Sequence, residues 1–306
     1  MKRGLFVRLT ISLALVLSFV GVGCTAAPKV PGAFTDDMGR SVVIDAVPQR
    51  IVSLAPSNTE VLFALGLGDK VVGVDSFSDY PEAAKAIEKV GGFADTDIEK
   101  VVSLRPDLVV AANIHQKQII PALEKLGIKV VGLDAKDLDG VLADVKLLGD
   151  ITGESKRAGQ LVDTLRKRIK AVSDKTKELS DLQRPRVLFV VWHDPIWAAG
   201  KQTLADDMII KAGGVNIASG LTDYQTISLE KIVESDPQVI VAFGGDPSSM
   251  GGPFQWANTE PRLANVAARK VAPPRIFPAG DIYQRPTPRA VDALEELAKY
   301  LHPELF

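Results

Sequence analysis

ESKRAGQLVDTLRKRIKAVSDKTKELSDL, Glu154 to Leu182, is the stretch on which the fold turns. It follows Gly153 and precedes Pro185, a residue that cannot continue a helix. Its apolar positions Ala158, Leu161, Leu165, Ile169, Val172 and Leu179 recur at spacings of three, four and seven, which places them on one helical stripe. Lysines and arginines such as Lys156, Arg166, Lys170 and Lys177 fill the other faces. At 1.5 Å per residue the helix would span roughly 40 Å, about the width of a domain. An ordinary surface helix of one large domain would show the same stripe. The patterning on either side favours a strut between two lobes.

Before the strut, Phe34-Thr-Asp36 and Ser41-Val-Val-Ile44 flank the turn Met38-Gly-Arg40 and read as a hairpin. Short apolar runs at Ile51–Leu54, Val71–Val74, Leu108–Ala111 and Val130–Leu133 read as buried strands. Helical patterns lie between and after them: one opened by Pro56-Ser-Asn-Thr-Glu60, then Gln116–Leu126 and Leu138–Leu148. Beyond the strut the pattern returns, with strands at Arg186–Val191, Val239–Ala242 and Arg275–Pro278 and helices at Thr203–Ala212 and Pro288–Leu301. Strands alternating with helices at this spacing argue for mostly parallel sheets covered on both faces. The halves also echo each other without a gap: Asp97–Ala111 aligns with Ser228–Ala242, Glu99 with Glu230 and Pro106 with Pro237. The expected fold class is therefore α/β, two Rossmann-like lobes joined by one long α-helix. The lobes are expected at 48–152 and 183–306, with 153–182 as the linker.

The chain has 306 residues, enough for two such cores. Its 36 basic and 38 acidic residues leave no basic footprint, which argues against a nucleic-acid partner. Lys2, Arg3 and Arg8 followed by the apolar run Leu9–Val22 read as a secretory signal over 1–23. Cys24, the sole cysteine, follows Gly-Val-Gly and resembles a lipoprotein site that is cut and acylated there, with Gly21 departing from the usual Leu or Val; cleavage after Ala27 is the alternative, disfavoured by Pro28. Residues 24–47 then form a lipid tether and the hairpin. Cleavage removes three basic and no acidic residues, taking the formal charge from −2 to −5. With Cys24 acylated, disulfides have no part.

No nucleophile elbow, P-loop or dinucleotide fingerprint occurs, and the glycine pairs Gly244-Gly245 and Gly251-Gly252 do not feed a phosphate-binding helix. His115, His193 and His302 are scattered without metal-ligand spacing, and His302 beside Pro303 is expected at the surface. What stands out is a set of aromatic residues at strand ends and turns: Phe77, Phe93, Trp192, Trp197, Tyr224 and Tyr283. Open α/β sheets bind ligands beyond the carboxyl ends of their strands, and two lobes would bring such loops face to face. Any one of these rings would equally serve as satellite core. Asp281 and Arg285 are candidates for polar ligand contacts, or for an ion pair with each other.

From Arg50 to the C-terminus the chain resembles substrate-binding proteins of bacterial ABC importers with a single long linker helix, the class III periplasmic binding proteins. Within them it is similar to the vitamin B12 (cobalamin) binders. The motifs that carry this are Ile51-Val-Ser-Leu-Ala-Pro-Ser-Asn-Thr-Glu60, Phe77-Ser-Asp-Tyr-Pro81, the two Glu-Lys helices with their prolines, and Gly280-Asp-Ile-Tyr-Gln-Arg-Pro-Thr-Pro-Arg289. The resemblance implies an extracytoplasmic, lipid-anchored, monomeric receptor that catalyses no reaction and carries no cofactor of its own. It would hold a corrinoid against Phe77, Phe93, Trp197 and Tyr224, with Asp281 and Arg285 as polar contacts. It would dock on a permease dimer through Glu99 and Glu230, one acid per lobe. The chain departs from such relatives by Phe at 77 and 93, where Tyr and Trp occur, and by Asn113 in place of Trp.

Two other readings remain open. A ferric siderophore would favour several cleft cations, of which only Arg285 is a candidate, and haem would favour an axial Tyr224, Tyr283 or His193. A glycoside hydrolase would need Glu99 and Glu230 as a carboxylate pair, yet both sit in helical first turns that look solvent-exposed.

Overall fold

A computed structural model describes residues 32–244 and 252–306. The signal segment, Cys24 and the glycines at 245 and 251 lie outside the described residues. The hairpin is β1 (Gly32–Thr35) on β2 (Ser41–Ile44). The first lobe then runs β3 (Ile51–Ser53), α1 (Pro56–Ala64), β4 (Val71–Val74), α2 (Ile98–Ser103), β5 (Leu108–Ala112), α3 (Ile119–Lys125), β6 (Val130–Leu133) and α4 (Leu138–Thr152). Its sheet is parallel, in the order β4-β3-β5-β6. After α5 (Ser155–Thr176) come β7 (Arg186–His193), β8 (Ile196–Ala199), α6 (Leu204–Lys211), β9 (Val215–Asn216), β10 (Tyr224–Thr226) and α7 (Leu229–Ser235). The chain closes with β11 (Val239–Phe243), α8 (Pro253–Thr259), α9 (Ala267–Lys270), β12 (Ile276–Ala279) and α10 (Ala290–Leu301).

The second sheet, β10-β8-β7-β11-β12 with β9 also pairing β7, is mostly parallel as expected, with one strand reversed. β7, β11 and β12 are parallel, β8 runs antiparallel to β7, and β10, antiparallel to β8, runs the same way as β7 again. The cause is local: Asp194-Pro195 turns the chain straight back between β7 and β8. That dipeptide is a turn signal legible in the sequence.

Strand alternation builds the layers. Ile51, Leu108 and Val110 of the first sheet, and Val187, Phe189, Val239 and Val241 of the second, all enter one core cluster. Their neighbours Val52, Val109 and Ala111 form a separate cluster on the other face of the first sheet. Leu188, Val190, Ile240 and Ala242 do the same on the second. Each lobe thus has a private outer core, and the inner faces share one core completed by α1, α4, α5, α6 and α10.

The linker α5 has 22 residues, about 33 Å. It stops at Thr176 rather than Leu182, because Arg184 folds back and donates to the Thr176 carbonyl at 2.9 Å. Its buried stripe is Ala158, Val162, Leu165, Ile169, Val172 and Thr176. Val162 and Thr176 join the stripe, the expected Leu161 is partly buried against the same core, and Leu179 lies beyond the helix end. Gly153, at φ +80°, makes the left-handed turn between α4 and α5. The two helices pack so closely that a Cβ on Gly149 would stand 2.3 Å from that of Ala158. Arg168 of α5 reaches Asp292 and Glu295 of α10 at 2.6 Å each, tying the linker to the second lobe. His302, expected at the surface, is buried at the end of α10, with Nε2 3.1 Å from the Gly213 carbonyl.

Candidate functional site

In the first sheet the chain leaves β3 toward β4 and then returns to the other side of β3 as β5. Carboxyl-end loops diverge at such a switch point and leave a crevice. The cleft between the lobes opens there as two adjoining cavities of about 300 and 470 Å³, sharing Ser57, Phe93, Gln284 and Pro286. The smaller also takes Asn58, Asn113, Asp134, Lys136 and Asp144 from the first lobe and Thr203, Asp223 and Tyr224 from the second. The larger takes Phe77 from the first and Phe243, Asp281 and Arg285 from the second.

Phe77, 60% exposed, is held by its loop rather than by its own packing. Asp75 is buried below it and accepts from the Phe77 amide at 2.9 Å and from the Ser78 hydroxyl. Thr59 continues this chain to Ser78 and Ser53, 2.8 Å to each. Burial raises the Asp75 carboxyl above its ordinary range, against the pull of its hydrogen bonds. Phe93 lines both cavities and meets His115 edge-on at 5.7 Å between centroids. His115 Nδ1 accepts from the Ala112 amide at 3.0 Å, so Nε2 carries the proton and donates to the Phe93 carbonyl at 2.8 Å. Burial holds the pKa of the His115 imidazole below its ordinary value.

Tyr224 faces the smaller cavity from β10. Burial, and then the charge of Asp223, push its phenol up to about 12. Trp197 lines neither cavity. It lies on the same sheet face as Tyr224, since Tyr224 pairs with Ala199 two residues along β8. It is 38% exposed and directly opposite Trp192. Tyr283 is turned away into the core, its hydroxyl donating to Glu296 at 3.0 Å. It is unavailable to a ligand.

Asp281 and Arg285 do pair, and Arg285 also crosses to the first lobe, to Asp79 at 2.7 Å and Glu60 at 3.4 Å. Arg289 grips the buried Glu60 through two bonds of 2.7 and 2.8 Å and lies 3.6 Å over the Tyr80 ring. Composition and spacing alone did not single out Glu60, Asp79 and Arg289 as a group. The cleft floor holds two further residues that pattern reading passed over, Asn58 and Asp144, both almost fully buried. Burial first, then the hydrogen bond and charge of Asp37 and the charge of Asp134, push the Asp144 carboxyl up to about 9. Among the described residues no group of three His, Cys, Asp or Glu side chains gathers for a metal.

Glu99 and Glu230 are exposed, and neither lines a cavity. Their helices are structural copies. Asp97 caps α2 by accepting from the Lys100 amide at 2.9 Å, and Ser228 caps α7 by accepting from Lys231 at 3.2 Å. Both units end in a left-handed residue before proline, Arg105 at φ 49° and Asp236 at φ 44°. Amide and hydroxyl donors at the start of α7, those of Glu230 itself and of Ser228, hold the Glu230 carboxyl below its ordinary range.

The periplasmic binding protein family matches residues 51–271. The ABC transporter substrate-binding lipoprotein YvrC of Bacillus subtilis is 33% identical over 282 residues, 90% of this chain and 87% of that protein. The periplasmic vitamin B12 binding protein BtuF of Vibrio cholerae superposes with a TM-score of 0.72 at 27% identity, covering 84% of this chain and 98% of that one. The periplasmic heme-binding protein RhuT of Roseiflexus sp. RS-1 does so with 0.74 at 28%, covering 84% and 99%. Two α/β lobes, one long connecting helix and a cleft at the strand ends are the architecture these proteins share. The chain belongs to the periplasmic binding protein family, the solute-binding components of ABC importers.

Proposed function

We propose that the protein captures a corrinoid, cobalamin or a close relative, in the cleft between its lobes and delivers it to an ABC import permease. The observation that carries this is the character of the cleft: aromatic rings on both sides and ionic groups already paired. Phe77, Phe93, Phe243 and Tyr224 offer stiff apolar area to a large, flat ligand. The two cleft cations are committed, Lys136 to Asp134 at 3.0 Å and Arg285 to Asp79 and Asp281. Among the described residues an anionic siderophore or a pair of haem propionates would meet no free cation there and several carboxylates. A tyrosinate on haem iron would also need a depressed pKa, and that of Tyr224 is raised. By the same reading Cys24 anchors the protein at the outer face of the membrane, and Glu99 and Glu230 meet the permease. The lipoprotein relative and the vitamin B12 binder support this; the haem binder supports the rival. Titration calorimetry with cobalamin, cobinamide, haem and a ferric siderophore decides between them. Micromolar or tighter binding of a corrinoid is expected, and binding of haem or siderophore alone would refute the assignment.

A further inference from the structure

We infer that the floor of the cleft is a carboxamide subsite, in which Asn58 and Asp144 receive a neutral amide group of the ligand and reject a carboxylate in its place. The identity of the ligand rests on the corrinoid reading; the chemistry of the subsite rests on its own residues. Asn58 stands in the first turn of α1 and Asp144 in the middle of α4, each 2% exposed, and both line the smaller cavity. Asn58 Nδ2 and Asp144 Oδ1 have no hydrogen-bond partner. Buried polar groups nearly always have one, so two orphans on residues that line one cavity point to a partner that arrives with the ligand.

The two orphans ask for different things. Asn58 Nδ2 can only donate. Burial, with the hydrogen bond and charge of Asp37 beside it, pushes the Asp144 carboxyl up to about 9, and its unpartnered Oδ1 is free to accept. A primary carboxamide answers both at once, its oxygen accepting from Asn58 and its N–H donating to Asp144. A carboxylate has only acceptors. It would face Asp144 Oδ1 with Asp37, Asp134 and Asp223 nearby, while Lys136 is held by Asp134 and stands 4.0 Å from Asp223. An ammonium has only donors and leaves Asn58 unmatched.

The test is titration of the purified protein with cobinamide and with cobyrinic acid, the same corrin with carboxylic acids in place of side-chain amides. The wild type is expected to bind the amide form at least 30-fold more tightly. The double variant Asn58→Leu with Asp144→Leu should bring that ratio below about threefold, mainly by weakening the amide ligand. Asp144→Asn, which keeps a neutral donor and acceptor, should leave the ratio unchanged. If the double variant fails to fold, Asn58→Asp exchanges the donor for an acceptor and is expected to lose at least tenfold in cobinamide affinity. Tight cobinamide binding whose ratio is unmoved by the double variant, or whose affinity survives Asn58→Asp, overturns the subsite and leaves the corrinoid reading intact. Binding of haem or siderophore with neither corrinoid bound overturns both.

Discussion

Asp144 and His115 are both buried, and their titrations pull stability in opposite directions. The folded-state constant of Asp144 lies far above its unfolded value of 3.8, so the folded chain holds a proton that the unfolded chain releases. Stability is lost as pH rises through the window from 3.8 to about 9. Asp144→Asn is therefore expected to raise the melting temperature, by a margin that widens steadily from pH 5 to pH 9. A constant margin would show that Asp144 is ionised in the fold. His115 is shifted down from 6.5, so the unfolded chain takes up the proton first and stability falls as pH drops below that value. His115→Gln should flatten the acid limb of the melting curve, whatever it costs at neutral pH. Phe93→Ala removes a ring common to both cavities and leaves the carbonyl that His115 holds. It should weaken ligand binding by about 2 kcal/mol, the scale of one buried aromatic side chain.

At the scale of elements, α2 and α7 are one unit used twice, with the same cap, the same acid at the second position and the same proline exit. A carboxylate in the first turn of a helix is favoured by the helix dipole, by about 0.3–1 kcal/mol, and that accounts for either Glu alone. It does not account for an exposed acid kept at matching places in both lobes. The charge reversals Glu99→Arg and Glu230→Arg together are expected to leave ligand affinity and melting temperature nearly unchanged and to abolish uptake. Each single reversal should weaken docking in a salt-dependent way, since exposed charges steer and orient more than they bind. Normal uptake by the double variant, or loss of ligand binding, would exclude these acids as the contact.

For the whole molecule the decisive feature is the core that both inner sheet faces share through α4, α5, α6 and α10. Opening the lobes wide would expose part of that surface, at roughly 25 cal/mol per Å². Small-angle scattering profiles of free and ligand-bound protein are expected to superpose closely, and a marked contraction on binding would contradict a shared core. Across the cleft mouth Glu60, with its side chain almost wholly buried, holds Arg289 and touches Arg285 from the opposite lobe. Removing one partner of such a pair strands the other, so Glu60→Gln should cost about 3 kcal/mol in chemical denaturation. A cost near zero would mean that the latch is exposed to water in solution.

The sequence by itself determined the elements, the two lobes and the strut, because these follow from local rules. Short continuous apolar runs make Ile51–Ser53 and Leu108–Ala112 buried strands, caps and prolines bound α2 and α7, and a helical stripe makes α5, though its end fell short of Leu182. It also brought Phe77, Phe93, Tyr224, Asp281 and Arg285 into view, since they lie at strand ends or, for Phe93, in the turn after Gly91-Gly92. Only the tertiary structure decided what those residues do. It turned Tyr283 inward, left Trp197 beside rather than inside the cavities, and joined Arg289 to Glu60 across 229 positions. Asp144 reads in sequence as one more acid on an amphipathic helix. Its raised constant exists only because the hairpin residue Asp37 and the strand-end residue Asp134 are folded against it. Periodicity records which face of an element is dry; desolvation and charge at a site depend on which other elements close over it.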